Sequence, residues 1–235
     1  MSAPPGQEIQ AMFGEIAPRY DFLNRLLSFG IDRFWRKRTI RMLGLPNGAP
    51  VLDLCCGTGD LAFAFADAGA VVTGADFTHP MLTVAQQRKP NREHQLPWVQ
   101  ADAQALPFTD GHYEAVSIAF GIRNVEDPQK ALAECRRVLR PGGSLAVLEF
   151  FPIPNPIWRT LFRFYFLRVL PLLARIVRAG RTGAYRYLPE SVDQFATPSQ
   201  FSGWMEEAGF IAVEDHALTG GVARLLIGRV PESGV

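Results

Sequence analysis

The chain lacks the features that mark several large classes of protein. Its 235 residues include only three cysteines, Cys55, Cys56 and Cys135, too few for a disulfide framework or a tetrahedral metal site. Lysine and arginine number 24 and aspartate and glutamate 23, so no overall charge favours a nucleic-acid partner. The opening residues MSAPPGQEIQ have neither the basic nor the apolar region of a signal peptide. We therefore expect a cytoplasmic protein with reduced cysteines, no metal site and no nucleic-acid partner.

An alternation of short apolar runs with helix-length segments indicates the fold. Residues 8–44 have a helical pattern, and the alternation then begins at PVLDL and continues to SLAVLEF, the fifth apolar run. Strands separated by helices form parallel, doubly wound sheets with both faces buried. Near the end of the chain, FIAVEDHAL and GVARLLIGRV have no long helix between them and predict an antiparallel hairpin. The expected fold is therefore α/β, with a mostly parallel seven-stranded sheet, N-terminal helices and an antiparallel edge hairpin.

We expect a single domain with four parts. They are an N-terminal helical cap (1–45), a cofactor-binding core (50–150), an apolar helical lid or substrate insertion (151–195) and a C-terminal helix with strands (196–235). Two helix starts have strong local signals. Asp127 is followed by Pro128 and Thr197 by Pro198, and both pairs predict an N-cap residue with proline at the first helical position.

The stretch VLDLCCGTGDLA (51–62) predicts a ligand-binding loop after the first strand. Gly57, Gly59 and Ala62 satisfy the dinucleotide fingerprint, and the glycines let the backbone approach a ligand closely. Asp53, however, lies inside the strand, where a carboxylate is costly unless a group pairs with it. A cofactor with an amino group would supply that pairing, whereas a pyrophosphate would add like charge. The loop therefore favours a cofactor other than a dinucleotide.

Two further acids follow the next two strands. Asp76 can accept hydrogen bonds from both hydroxyls of a ribose, and Phe77 beside it offers an apolar surface for a base. Asp102, followed by Ala103, can accept a proton from an adenine amino group. Asp102 alone would be explained more simply as a turn residue. Three acids at successive strand ends, where ligands bind in such sheets, predict S-adenosylmethionine as the cofactor.

Together with RVLRPGG (137–143), these residues resemble the pattern of class I methyltransferases. A closer resemblance, to the UbiE/MenG family of quinone C-methyltransferases, covers nearly the whole chain. It rests on YDFLNRLLSFGIDRFWRK (20–37), FGIRNVEDPQKALAECRRVLRPGGSLAVLEF (120–150), YRYLPESVDQF (185–195) and LTGGVA (218–223).

The resemblance implies C-methylation of a polyprenylated quinol, with demethylmenaquinol converted to menaquinol. The alternatives are 2-methoxy-6-polyprenyl-1,4-benzoquinol in ubiquinone biosynthesis, or another small-molecule substrate. The cofactor contacts carried over from the family are Thr58, Asp76, Asp102 and Ala103. Ala119 stands at a further cofactor position where many members have serine, so a hydroxyl contact from there is absent. Asp32 stands where many members have histidine, and this aspartate resembles members that act only on menaquinone precursors.

Three residues are candidates for the chemistry. Arg123, just past the fourth strand, can stabilise a developing phenolate, and its alternative role is a salt bridge to Glu126 or Asp127. Tyr20 and Asn24 share a face of the first helix and can cap the site or orient the quinol. Their alternative role is packing of that helix on the sheet.

The apolar segment 151–178 is interrupted by four arginines, which argues against a transmembrane helix. It is typical of a lid or interfacial helix that meets a polyprenyl tail or the inner face of the plasma membrane. The alternative is packing over the sheet or against a second subunit, as in a homodimer.

Three other classes of protein remain as competing hypotheses. A nucleic-acid methyltransferase is opposed by the position of NPIW (155–158), which is similar to an amino-methylation motif but follows the fifth strand instead of the fourth. An NAD-dependent oxidoreductase is opposed by Asp53. A noncatalytic cofactor-binding protein is opposed by Arg123 together with an intact glycine loop.

Overall fold

The computed structural model describes residues 11, 13–15, 17, 28, 30–88, 95–153, 156–165, 168 and 184–232. The helices with assigned bounds are α1 (Asp32–Leu43), α2 (Asp60–Asp67), α3 (His79–Gln87), α4 (Pro128–Val138), α5 (Pro156–Phe164), α6 (Ala184–Gln194) and α7 (Pro198–Glu207). The strands are β1 (Pro50–Leu54), β2 (Val71–Asp76), β3 (Trp98–Gln100), β4 (Tyr113–Ala119), β5 (Leu139–Glu149), β6 (Ile211–Leu218) and β7 (Ala223–Arg229). Within the described residues, no helix is long and apolar enough to cross a membrane.

The seven strands form one sheet in the order β3-β2-β1-β4-β5-β7-β6. Strands β1 to β5 are parallel, and β7 runs antiparallel to both β5 and β6. The predicted sheet and edge hairpin are therefore confirmed. The strand order reverses between β1 and β4, and ligands of open α/β sheets bind at the carboxyl ends of strands beside such a reversal.

Both faces of the central strands are buried, which explains their continuous apolar runs. Val51 of β1 packs with Leu61 of α2 on one face, whereas the next residue, Leu52, belongs to the cluster that contains Leu132 of α4 on the other face. Because side chains alternate along a strand, one run of apolar residues fills both layers. Asp53 is the exception, a carboxylate buried in the same strand.

Local capping signals define two helix starts as predicted. The Asp127 side chain accepts a hydrogen bond from the Lys130 amide (3.0 Å), and Thr197 forms a reciprocal capping box with Gln200. Helix α4 stops at Val138 because Leu139 already pairs with Tyr113 of β4, and because the residue before Pro141 disfavours helical geometry.

Helix α1 is fixed near the carboxyl ends of β4 and β5 by Trp35. The buried indole donates a hydrogen bond to the Thr219 hydroxyl (2.9 Å) and packs with Leu148 and Leu225 of the sheet. Its ring also contacts Phe120 and Phe150, which directly follow β4 and β5, at centroid distances of 5.9 Å each. Arg36 follows Trp35 in the sequence, and this docking therefore places Arg36 beside the glycine loop.

Candidate active site

The glycine loop makes a tight turn between β1 and α2. Gly57 and Gly59 have φ of 56° and 85°, in the left-handed region that glycine adopts without strain. A Cβ atom on Gly59 would lie 2.5 Å from a ring carbon of Trp98. Gly59, predicted to bind the cofactor, therefore lets the loop pack against Trp98. Gly57 lines the large pocket at the carboxyl ends of the strands.

Asp76 ties this loop to the end of β2. One carboxylate oxygen accepts from the Gly57 amide (2.8 Å) and the other from the Thr78 amide (2.8 Å). Burial raises the pKa of Asp76, and the Thr78 and Gly57 hydrogen bonds oppose that rise. Each oxygen of an ionised carboxylate has a second lone pair, so the group retains acceptor capacity for ligand hydroxyls.

A large pocket lies at the carboxyl ends of the strands around the β1–β4 reversal. It contains about 860 Å³ of space that continues into solvent. The predicted residues that line it are Gly57, Asp76, Phe77, Asp102 and Ala103. Asp102 also has the turn role considered for it, since its carboxylate accepts from the Gln104 amide (2.9 Å). Five of the predicted cofactor residues thus share one pocket.

A smaller pocket adjoins the larger one at Cys55 and Gly57. Its lining includes three more of the predicted residues, Asp53, Thr58 and Ala119, together with Arg36. The Ser117 hydroxyl donates to one oxygen of Asp53 (2.8 Å), while the buried Oδ2 has no hydrogen-bond partner of good geometry among the described residues.

Burial raises the pKa of Asp53 to about 7, although the Ser117 hydrogen bond and the nearby Arg36 charge both lower it. A buried polar atom without a partner is rare in folded proteins and calls for a ligand or water. The amino group of an amino acid suits Oδ2, so these residues fit the amino-acid end of S-adenosylmethionine. A dinucleotide pyrophosphate does not fit there, as the sequence indicated.

Arg123 is paired with a residue that the sequence analysis did not single out. Its Nη1 donates to Glu149 (2.6 Å) and to the Phe120 carbonyl (2.9 Å), and its Nε donates to the Ser191 hydroxyl (3.3 Å). The side chain of Arg123 is 6% exposed and that of Glu149 is fully buried. The alternative pairing with Glu126 or Asp127 is therefore wrong, because parallel pairing puts the end of β5 beside the end of β4.

Glu149 is the fourth acid at a strand's carboxyl end, and this position was the signal that could have identified it. Burial raises the pKa of Glu149, and Arg123 and the Phe150 amide oppose that rise. Tyr187 of α6 was also missed. It donates to the Asn124 side chain (2.7 Å), and Asn124 lines the larger pocket. Arg123 is thus part of a polar network beside that pocket, whereas Tyr20 and Asn24 lie outside the described residues.

The profile of the ubiE/COQ5 methyltransferase family matches residues 2–229 of the sequence. The chain belongs to this family. Among related proteins, the demethylmenaquinone methyltransferase of Thermus thermophilus is 50% identical over 222 residues, which cover 94% of this chain and all of the relative. A ubiquinone/menaquinone biosynthesis C-methyltransferase of Geobacter sp. strain M21 is 42% identical over 95% of this chain and 96% of its own length. These relatives confirm the predicted family and the prediction that the protein is an S-adenosylmethionine-dependent methyltransferase.

Solved structures with low sequence identity support the fold. A putative S-adenosylmethionine-dependent methyltransferase of Methanococcus maripaludis aligns with a TM-score of 0.67 at 19% identity, over 94% of this chain and 95% of that one. The [4+2]-cyclase SpnF aligns with a TM-score of 0.70 at 18% identity, over 99% and 98% of the two chains. The protein therefore has the expected class I methyltransferase fold.

Proposed function

We propose that the protein transfers a methyl group from S-adenosylmethionine to a ring carbon of a polyprenylated quinol, converting demethylmenaquinol to menaquinol. The observation that carries this proposal is the buried Arg123–Glu149 pair, which lies beside the larger pocket in a member of a methyltransferase family. The name of the Thermus thermophilus relative, demethylmenaquinone methyltransferase, supports the naphthoquinol as substrate. The name of the Geobacter relative, which includes ubiquinone, supports the benzoquinol as the second candidate.

The cofactor residues divide between the two pockets. In the larger pocket, Asp76 accepts from the ribose hydroxyls, Phe77 covers the base, and Asp102 with Ala103 contacts the adenine edge. In the smaller pocket, Asp53 accepts from the amino group, and Thr58 with Ala119 lines the wall. The bound cofactor supplies an electrophilic methyl group on a positively charged sulfur. The carboxylates of Asp53 and Asp76 favour that positive charge.

Arg123 activates the quinol. A phenolic hydroxyl titrates near ~10, so its ring carbon is a weak nucleophile at neutral pH unless the site favours the phenolate. Nη2 of Arg123 donates no hydrogen bond to a described residue and keeps its donors for the quinol oxygen. Once the hydroxyl proton leaves to water, electron density on the adjacent ring carbon forms the new C–C bond as the S–C bond breaks. The ring proton then leaves to water, which restores aromaticity, and the electron pair of the broken S–C bond stays on the sulfur of S-adenosylhomocysteine.

Glu149 positions Arg123 and does not act as the base. One of its oxygens accepts from Nη1 of Arg123 (2.6 Å) and from the Phe150 amide (2.7 Å), and the other lies 3.5 Å from the Arg123 amide. These donors favour the ionised form of Glu149 and oppose the rise in its pKa that burial causes. Ser191 adds a contact from α6 to Nε, so the network fixes the plane of the guanidinium.

Methyl transfer can be tested with S-adenosylmethionine labelled in its methyl group. We expect label in the lipid extract when demethylmenaquinone is supplied reduced, and none when it is kept oxidised, because only the quinol can form the phenolate. A parallel reaction with the polyprenylated benzoquinol measures the preference between the two rings. Tight cofactor binding without transfer to either quinol would instead favour the noncatalytic hypothesis.

The exposed apolar side chains of α5 suit contact with the bilayer that holds the isoprenoid tail. Ile157, Leu161 and Phe164 are 70%, 52% and 59% exposed. Their spacing of four and three residues places them on one face of the helix. Membrane-surface helices carry such a face toward the acyl chains, and a long isoprenoid substrate is delivered from there. We therefore assign this stripe to peripheral membrane binding.

Replacing both Leu161 and Phe164 with serine is expected to weaken binding to phospholipid vesicles at least about ten-fold, since burial of each side chain contributes about 1.5–3 kcal/mol. Co-sedimentation measures the bound fraction. Phe34→Ser is the matched control, because Phe34 is an equally exposed aromatic residue on α1. Unchanged vesicle binding together with a smaller mass in light scattering would show that the stripe joins two subunits.

A further inference from the structure

Two buried side-chain atoms in the described part of the chain have no hydrogen-bond partner, and both belong to residues that line the smaller pocket. They are Oδ2 of Asp53 and Nε of Arg36. One belongs to an acid and the other to a base, yet they do not bond to each other. Buried polar atoms without hydrogen-bond partners are costly and are usually completed by a ligand or water. A pocket with one unsatisfied acceptor, on an acid, and one unsatisfied donor, on a base, suits a ligand that carries both an amino group and a carboxylate.

Arg36 lies beside this pocket, and its neighbours do not use all of its hydrogen-bond donors. Nε forms an ion pair with one oxygen of Asp32 at 3.6 Å, too long for a hydrogen bond, and the other oxygen of Asp32 accepts from the Ser28 hydroxyl at 2.7 Å. The guanidinium sits over the Phe120 ring, 5.7 Å from its centroid, and the side chain is 11% exposed. Packing therefore fixes the orientation of the guanidinium, while Nε keeps a donor that can bind a ligand.

We propose that Arg36 binds the carboxylate at the amino-acid end of S-adenosylmethionine, while Asp53 accepts from the amino group of the same end. The forked guanidinium matches a carboxylate with two parallel hydrogen bonds. The inference rests on the part of the proposed function that makes S-adenosylmethionine the cofactor, and it does not depend on which quinol is methylated. It assigns a cofactor-binding role to a residue for which no role was predicted from the sequence.

The fold explains how a helix outside the glycine loop reaches the cofactor. Trp35 docks α1 on the sheet and hydrogen bonds to Thr219, near the other end of the chain. Arg36 follows directly and faces the pocket from above Phe120. Helix α1 thereby contributes a binding residue in addition to covering the sheet. The competing interpretation is that Arg36 only offsets the charge of Asp53, whose pKa it lowers.

Three adenosine ligands separate these interpretations. S-adenosylmethionine carries the carboxylate and the amino group, decarboxylated S-adenosylmethionine keeps only the amino group, and 5′-methylthioadenosine has neither. Dissociation constants are measured by calorimetry for the wild type, Arg36→Met and Asp53→Asn. Arg38→Met is the matched control, since Arg38 lies exposed on the same helix.

Arg36→Met is expected to weaken binding of S-adenosylmethionine about 100-fold, because the variant loses a bidentate hydrogen bond between two charged groups. Its affinity for the decarboxylated ligand should be unchanged or higher, and its affinity for methylthioadenosine unchanged, which also shows that the protein is folded. Asp53→Asn should weaken binding of both ligands that carry the amino group. Arg38→Met should behave as the wild type.

An equal loss of affinity for all three ligands in Arg36→Met would overturn the proposal, because Arg36 would then be structural. Unchanged affinity for S-adenosylmethionine would also overturn it, because another group would bind the carboxylate. A wild type that binds none of the three would overturn the cofactor assignment and this inference together. The expected pattern in a protein that methylates no quinol would support the inference and contradict only the proposed substrate.

Discussion

Replacing Arg123 with lysine is expected to lower the turnover number about 100-fold, the usual effect of losing one donor that stabilises a developing oxyanion. Lysine keeps a positive charge for the fully buried Glu149, so the fold should survive. A single ammonium cannot serve Glu149, the Phe120 carbonyl and the Ser191 hydroxyl while donating to the quinol. Steady-state kinetics with saturating cofactor and quinol provides the measurement.

The matched control is Arg140→Lys, which changes an exposed arginine that pairs with Glu114 at the opposite end of β5. Affinity for S-adenosylhomocysteine, measured by calorimetry, should be unchanged in both variants. A parallel loss of affinity and turnover in Arg123→Lys would show that Arg123 holds the pocket together and does not act on the quinol. Arg123→Met is a poorer test, since an unpaired buried Glu149 would cost about 3–5 kcal/mol of stability.

Asp76→Asn is expected to raise the dissociation constant for S-adenosylhomocysteine about 100-fold, because hydrogen bonds to a charged acceptor contribute about 1.5–3 kcal/mol each. Asparagine keeps the size of the side chain but offers one acceptor oxygen in place of two. The Gly57 and Thr78 amides compete for that oxygen, so none remains for two ribose hydroxyls. Calorimetric titration measures the change.

Asp110→Asn is the control for Asp76→Asn, because Asp110 is an exposed acid paired with Arg137. With saturating S-adenosylmethionine, Asp76→Asn should recover most of the wild-type turnover number, since Asp76 contacts the cofactor and not the quinol. A lower turnover number with unchanged affinity for S-adenosylhomocysteine would contradict the proposed role of Asp76.

Local signals in the sequence were enough to predict most of the fold. The Asp127–Pro128 and Thr197–Pro198 pairs start helices through contacts within three or four residues, so their neighbours along the chain determine them. The glycine loop follows β1, and Asp76 ends the next strand, so the predicted strand–helix–strand order already places them side by side. Five predicted cofactor residues therefore meet in the larger pocket.

The missed residues depend on contacts between distant parts of the chain. Helical spacing suggested Glu126 or Asp127 as partners for Arg123. The partner is Glu149, which is 26 residues away in the sequence but ends the neighbouring strand. Asp53 was expected to need a partner, whereas the approach of Arg36 depends on Trp35 docking against Thr219, 184 residues away. Such pairings follow from tertiary packing, which no local pattern encodes.

The position of the transferred methyl group in the product shows whether the protein methylates a reduced quinone at carbon. S-adenosylmethionine with a ¹³C-labelled methyl group is incubated with the protein and demethylmenaquinol, and the extracted product is examined by NMR. We expect an aryl methyl signal together with loss of the signal of the ring proton that the methyl group replaces. Label found as an ether methyl on oxygen, or transfer that proceeds equally well from the oxidised quinone, would contradict it.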